Sequence, residues 1–196
     1  MKKILTKIYF SLFREKRKKL LLEKEEIGLS IWALRSDMSE QSKLKAADLV
    51  FSKIEELAMF QKATNILLYW SSSSELPTHE YIEKWSKSKN IFIPVVKNNK
   101  MKLKRYAGCE SQGENKGRLI TESYSGSVEI ALIPGIAFDE EKYRMGHGKG
   151  LYNNILDSRE IKKIGIAFDF QIIDKIPNSW NEKKMDMVVT PSMIIN

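Results

Sequence analysis

Five short apolar runs alternate with segments of helical periodicity, and this alternation constrains the fold more than any other feature of the chain. The runs cover residues 65–70, 91–96, 128–138, 163–168 and 187–190, each stopped by polar or turn-forming residues. Continuous apolar stretches of this length read as buried strands. Between them, Leu44, Ala47, Val50, Phe51, Ile54, Leu57 and Ala58 recur at spacings of three and four, which predicts one helix over 39–60 with Ser39 as its N-cap. A second helix is expected over 77–88, opened by Pro77, and a third around 150–159. Strands separated by helices predict an α/β fold, a three-layer α/β/α sandwich with a mostly parallel sheet. Right-handed crossovers then gather the strand-end loops, and any ligand, on one edge. Pro94 has no N–H to donate, so it belongs at a strand end or an edge. Residues 107–127, with four glycines and four serines, form a long loop or a pair of short strands.

At 196 residues the chain fits one domain with a substantial core. Its formal charge of +8 is concentrated at one end: nine cations and two anions in residues 1–24 carry all but about one unit of the excess. Residues 1–23 therefore read as a basic extension, expected to be helical from the spacing of Ile4, Leu5, Ile8, Tyr9 and Leu12. Residues 24–196 form the α/β domain. A basic leader on a nearly neutral body gives no reason to expect a nucleic-acid partner. No stretch approaches a transmembrane helix, and the leader lacks a small-residue cleavage site. Cys109 is the one cysteine, and His79 and His147 the two histidines, so an intrachain disulfide, a cysteine metal site and a multi-histidine zinc site are all excluded. A reducing, cytoplasmic setting and a monomer are the expectations.

The segment richest in chemistry runs from Leu132 to Tyr152. A strand and polar turn lead to Gly146, Gly148 and Gly150 on alternate positions, followed by a helix. Alternating glycines let several N–H groups converge on one anion, and a helix N-terminus behind them adds partial positive charge. Arg144 and Lys149 add full charges, the arginine in a fork suited to phosphate. A structural glycine-rich turn is the rival reading. Neither a P-loop nor a dinucleotide fingerprint fits: Gly150 and Leu151 follow Lys149 where Ser or Thr is needed, and the third glycine comes one residue early.

Taken together, Pro134-Gly135-Ile136-Ala137-Phe138-Asp139 and Arg144-Met145-Gly146-His147-Gly148-Lys149-Gly150-Leu151-Tyr152 resemble the signature of the 5-formyltetrahydrofolate cyclo-ligases, also called methenyltetrahydrofolate synthetases. Phe60 to Ala63, Tyr69 to Glu75 and Asp186 to Thr190 match further family segments in the same order, so the resemblance spans about residues 24–196. It implies ATP- and magnesium-dependent conversion of 5-formyltetrahydrofolate to 5,10-methenyltetrahydrofolate, with ADP and phosphate released. Carried over by position, ATP would meet Lys24, Gly28, Arg144, Met145, Gly146, His147, Gly148, Lys149, Gly150, Leu151 and Tyr152. Arg144 and Lys149 would act on the phosphates as catalytic groups. Trp70 and Glu75 would meet the folate, joined by residues His147 to Leu151, and Asn153 and Glu182 would be the Mg²⁺ ligands.

Each assignment has a plainer rival: core packing for Trp70, simple solvation for Glu75, membership of the leader for Lys24, and a polar loop contact for His147. The chain also departs from the family pattern. Gly28 stands where the family has arginine, Asn153 and Glu182 where it has aspartate, and Leu151 where it has tyrosine. These departures motivate an alternative, a degenerate paralogue that binds nucleotide or folate without turnover. A third reading makes the leader an adaptor for RNA or an anionic membrane surface.

Overall fold

The computed structural model describes residues 2–97, 100–108, 119–124, 126–147, 151–158, 160–177 and 182–196. The chain opens with one continuous helix, α1 (Lys2–Asp37), which passes residues 23 and 24 without a break. Its described inner face carries Ile27, Ile31 and Arg35, while Leu29 and Trp32 face outward. Helix α2 (Glu40–Glu56) starts where predicted, with the Ser39 hydroxyl accepting the Ser42 N–H. It buries Ala47, Val50, Phe51 and Ile54, but Leu44 lies on the outer face and Lys43 takes the inner position one residue earlier. Extended backbone at Leu57 ends the helix, and α3 (Ala58–Lys62) follows as a separate turn. The Lys89 amine closes that turn on the carbonyls of Phe60, Gln61 and Ala63.

Strand β1 (Asn65–Leu68) then leads through the serine loop to α4 (His79–Ser86), which begins after Pro77 and Thr78. Strand β2 (Asn90–Lys97) is paired with β3 (Lys100–Gly108), and β3 with β4 (Leu119–Tyr124). Part of the glycine- and serine-rich stretch expected to be a loop or short strands thus belongs to an antiparallel extension of the sheet, which also takes in the lysine-rich residues before it. The predicted break at Pro134-Gly135 separates β5 (Ile130–Pro134) from β6 (Ala137–Asp139), after which β7 (Tyr143–Met145) turns back. The helix expected over 150–159 is shorter, α5 (Asn153–Asp157). Strands β8 (Lys162–Ile166), β9 (Ile172–Ile173), β10 (Lys183–Lys184), β11 (Met187–Val189) and β12 (Ile194–Ile195) complete the chain.

The main sheet has the order β12-β11-β8-β5-β1-β2-β3-β4, and its five central strands are parallel. Pro94 sits in β2 beyond the last pairing with β1, at Leu67–Phe92, so its missing N–H falls where β2 is locally open on that side. Alternation along the strands divides the core into two layers. Ile66, Leu68, Ile91, Ile93, Leu132 and Ile164 face α2 and α4. On the other face, Leu67, Phe92, Ala131, Ile133 and Val188 pack against α5 and Phe138. That second covering layer is only partly helical, because the small sheet β10-β7-β6-β9 shares it with α5. No helix among the described residues is long and apolar enough to cross a membrane.

The strand order places a switch point between β1 and β5, where successive crossovers leave in opposite directions. Ligands of open α/β sheets bind outside the carboxyl ends of the strands at such a point. Residues 69–79 and 134–147 leave those two ends.

Candidate active site

At the end of β1 the chain is fixed by buried polar groups. Thr78 donates its hydroxyl to the Tyr69 carbonyl at 2.8 Å and exchanges two further bonds with Ser71, each 3.1 Å. The Tyr69 hydroxyl donates to the Leu76 carbonyl at 2.9 Å. From α2, the buried Lys43 amine donates to the Ser73 carbonyl at 2.8 Å. The serine loop is therefore a braced turn. On it, one Glu75 carboxylate oxygen accepts the Ser72 N–H at 2.8 Å and the Ser72 hydroxyl at 2.9 Å. Trp70 is half-buried, and its ring lies on the His79 imidazole at 4.2 Å and near Tyr106 at 6.0 Å. An aromatic face beside a carboxylate suits a flat ligand with a donor-rich edge.

Three consecutive carbonyls at the end of β5 are each taken by a side chain. The Arg144 Nε donates to Pro134 at 2.7 Å, Arg35 Nη2 to Gly135 at 2.6 Å, and the Gln171 amide to both Gly135 and Ile136 at 2.9 Å. Gln171 completes its bonding by accepting the Phe168 N–H. Gly135 and Gly165 are glycines because of Phe138: a methyl group on either would lie 2.8 or 2.5 Å from that ring. Asp139 accepts the N–H groups of Tyr143 and Ile176, which fixes the turn into β7. Met145 buries its side chain with Ala137 and Ile176, and its carbonyl accepts the Ile136 N–H. Gly146 leaves room for Arg144, whose Nη1 would lie 2.5 Å from an added methyl. The Arg144 guanidinium stands 5.3 Å from the Tyr152 ring centre.

The two strand ends form one electrostatic neighbourhood. Burial lowers the Arg144 pKa, opposed by Tyr152 and Glu182. Burial lowers that of Arg35 too, opposed by Glu75 and Tyr69. The Tyr152 phenol is pushed above its ordinary value by burial, with Arg144 pulling it down and Glu75 pushing it further up. Tyr69 is raised by burial and then by Glu75. The Glu75 charge thus acts on both the Tyr152 phenol and the Arg35 guanidinium. Further out, Lys24 on α1 pairs with Glu182, and both side chains are largely buried.

Of the residues expected at the site, Trp70, Glu75, Arg144, Gly146 and Tyr152 are brought to this neighbourhood. Lys24 reaches its rim through Glu182. His147 is exposed and Leu151 half-buried in the same segment, and Asn153 is the first residue of α5. Gly28 faces open space, with nothing within 4 Å of an added methyl. Gly148, Lys149 and Gly150 lie outside the described residues. With five residues, α5 falls below two turns, so it adds little of the dipole expected behind the loop. No group of three His, Cys, Asp or Glu residues that could hold a metal occurs among the described residues. Glu182 and the nucleotide's own oxygens would suit a magnesium ion that arrives with the phosphates, the usual mode for this metal.

Sequence reasoning passed over Arg35, Gln171, Thr78 and Lys43. Arg35 carried a signal, since Ile27, Ile31 and Arg35 are four residues apart, so a cation occupies the buried stripe of α1. The others are polar residues whose partners lie 30 or more positions away, or across a loop, and no local pattern marks them.

Comparison with known proteins places the chain among folate enzymes. A family model described as the 5-formyltetrahydrofolate cyclo-ligase family matches residues 14–191. The 5-formyltetrahydrofolate cyclo-ligase of Haemophilus influenzae is 25% identical over 89% of this chain and 98% of its own. A solved 5,10-methenyltetrahydrofolate synthetase from Aquifex aeolicus is 27% identical with a TM-score of 0.75, covering 87% of this chain and 91% of that one. A second solved structure, from Mycoplasma pneumoniae, shares the fold at a TM-score of 0.69 and 21% identity, covering 86% and 98%.

Proposed function

The chain belongs to the 5-formyltetrahydrofolate cyclo-ligase family, and on that premise we propose that it closes the ring of 5-formyltetrahydrofolate to give 5,10-methenyltetrahydrofolate at the expense of ATP. The observation that carries this reading is the meeting of Glu75 and the Arg144–Tyr152 segment at one switch point, a carboxylate and aromatic face on one side and buried cations on the other.

The chemistry follows from a poor leaving group. The formyl oxygen of the substrate attacks the terminal phosphorus of ATP, and the bond from that phosphorus to ADP breaks. The neighbouring folate amine then attacks the activated formyl carbon, closes the five-membered ring and gives up its proton. The carbon–oxygen bond breaks, and the oxygen leaves as phosphate. Glu182 and Asn153 would hold a magnesium ion, which would supply charge shielding for the phosphates. The chain's own work is positioning and charge stabilisation. Arg144 and Lys149 hold the phosphates, and Gly146, Gly148 and Gly150 let the backbone approach them, with His147, Leu151 and Tyr152 completing the wall and the buried Met145 anchoring the segment beneath it. Lys24 and the α1 surface at Gly28 border the nucleotide. Trp70 and Glu75 hold the folate ring system, with Glu75 accepting from its donor edge. The Tyr152 phenol stays protonated near neutral pH and serves as a donor between the two ligands.

The test supplies 5-formyltetrahydrofolate, ATP and Mg²⁺ and follows methenyl absorbance. The expected result is product formation with one ADP released per ring closed. Folded protein that forms no product and hydrolyses no ATP in a folate-dependent way contradicts the proposal, and tight folate binding without turnover would identify a degenerate paralogue.

A further inference from the structure

A cation occupies the inner stripe of α2. Lys43 is 5% exposed, while its neighbour Leu44 faces solvent at 44%. The Lys43 amine donates to the Ser73 carbonyl at 2.8 Å and to the Glu40 carboxylate at 3.1 Å. The Glu40 side chain is 73% exposed, so water screens that ion pair and it adds little to stability. An apolar residue of similar length would fill the position without an ion to desolvate. Fold stability alone therefore gives no reason for a lysine here.

The carbonyl that Lys43 holds lies at a sensitive point of the site. Ser72 to Glu75 form a β-turn, closed by the Glu75 N–H on the Ser72 carbonyl at 3.1 Å. Lys142 is the one non-glycine residue with positive φ among the described residues, so Ser73 and Ser74 both have negative φ and the turn is of type I. The Ser73 carbonyl belongs to the central peptide of this turn, and reversing that peptide is what separates type I from type II. Tyr69 and Thr78 fasten the ends of the serine loop, whereas Lys43 fastens this central peptide. The same turn returns the Glu75 carboxylate to the Ser72 N–H and hydroxyl, so the turn sets where that carboxylate stands.

We propose that Lys43 is a positioning residue for the folate half of the site: from α2 it locks the central peptide of the Ser72–Glu75 turn, and through that turn it holds Glu75 where the donor edge of the folate meets it. This rests on the assignment of Glu75 to the folate. Without the amine, the Ser73 carbonyl loses its donor, and the peptide gains by turning that oxygen toward water. The turn then keeps its closing hydrogen bond but no longer presents Glu75 in one place.

The test is made in the full chain with Lys43→Met, Lys43→Arg, Glu75→Gln and the combination of Lys43→Met with Glu75→Gln. For each, KM for 5-formyltetrahydrofolate and for ATP is measured beside the melting temperature. Lys43→Met is expected to raise folate KM by at least about fivefold, with ATP KM moving less than about twofold and no fall in melting temperature. Lys43→Arg can donate to the same carbonyl and is expected to recover part of the folate affinity. In the Glu75→Gln background, Lys43→Met is expected to add less than about twofold, because it acts through that carboxylate. Should the methionine variant not fold, Lys43→Gln replaces it, with the same split between folate and ATP expected. A parent-like folate KM, a lowered melting temperature with both KM values rising alike, or effects of Lys43→Met and Glu75→Gln that simply multiply would each overturn the proposal. A parent protein that neither binds nor converts the folate would instead remove the functional reading on which it rests.

Discussion

At Gly146 the requirement is for empty space. Its backbone is not confined to the left-handed region, yet a methyl group there would meet the Arg144 guanidinium at 2.5 Å. Arg144 is a flexible side chain, so Gly146→Ala is expected to fold while displacing the guanidinium from its Pro134 anchor. Misplacing a positioning group by about 1 Å can cost roughly 10²-fold in rate, so turnover should fall by one to two orders of magnitude with the melting temperature little changed. Parent-like turnover would show that Arg144 does not act from this position. At this scale the sequence was partly legible. Arg144, Gly146, Glu75 and Trp70 could be located because they sit in short segments with a recognisable order. Gln171 and Thr78 could not, because their partners, Gly135 and Tyr69, are joined to them by the fold alone.

Elements differed in legibility according to how much periodic signal each carries. The α2 helix and its Ser39 cap were readable from a long apolar stripe, although the inner position falls on Lys43 and not Leu44. Its buried amine is satisfied by the Ser73 carbonyl and Glu40, partners that no hydropathy pattern reveals. Strand β3 alternates Lys100, Lys102 and Lys104 with Met101 and Leu103, but its charge hid it from a search for apolar runs. The strands of the second sheet, at two or three residues each, are too short to have a period. This sheet nonetheless supplies Phe138, which fills the space left by Gly135 and Gly165. Gly165→Ala would place a methyl 2.5 Å from that ring within β8. Overpacking of this kind costs about 1–3 kcal/mol, and denaturant unfolding should show a midpoint lowered accordingly. An unchanged midpoint would mean that Phe138 can yield without loss.

Across the whole molecule, the alternation of strand and helix was enough to set the sheet type, and the switch point followed from the strand order. The buried phenols give a further global property. Tyr69 and Tyr152 both hold their protons above the ordinary value of about 10, through burial first, so the folded state binds them more tightly than the unfolded chain. Their contribution to stability is therefore complete below about pH 10 and declines as pH rises beyond it. Urea midpoints measured toward alkaline pH should fall, and Tyr152→Phe should make the fall shallower; a midpoint that rises over that range would contradict the burial of these groups.

The central claim is that folate and nucleotide lie side by side at the ends of β1 and β5, with Glu75 holding the folate and Arg144 the nucleotide. Calorimetry with 5-formyltetrahydrofolate and a non-hydrolysable ATP analogue, alone and together, tests it most directly. The expected result is simultaneous binding of one of each, with Glu75→Gln weakening the folate and Arg144→Met the nucleotide. Mutual competition between the two ligands, or a Glu75→Gln variant that loses nucleotide and keeps folate, would contradict it.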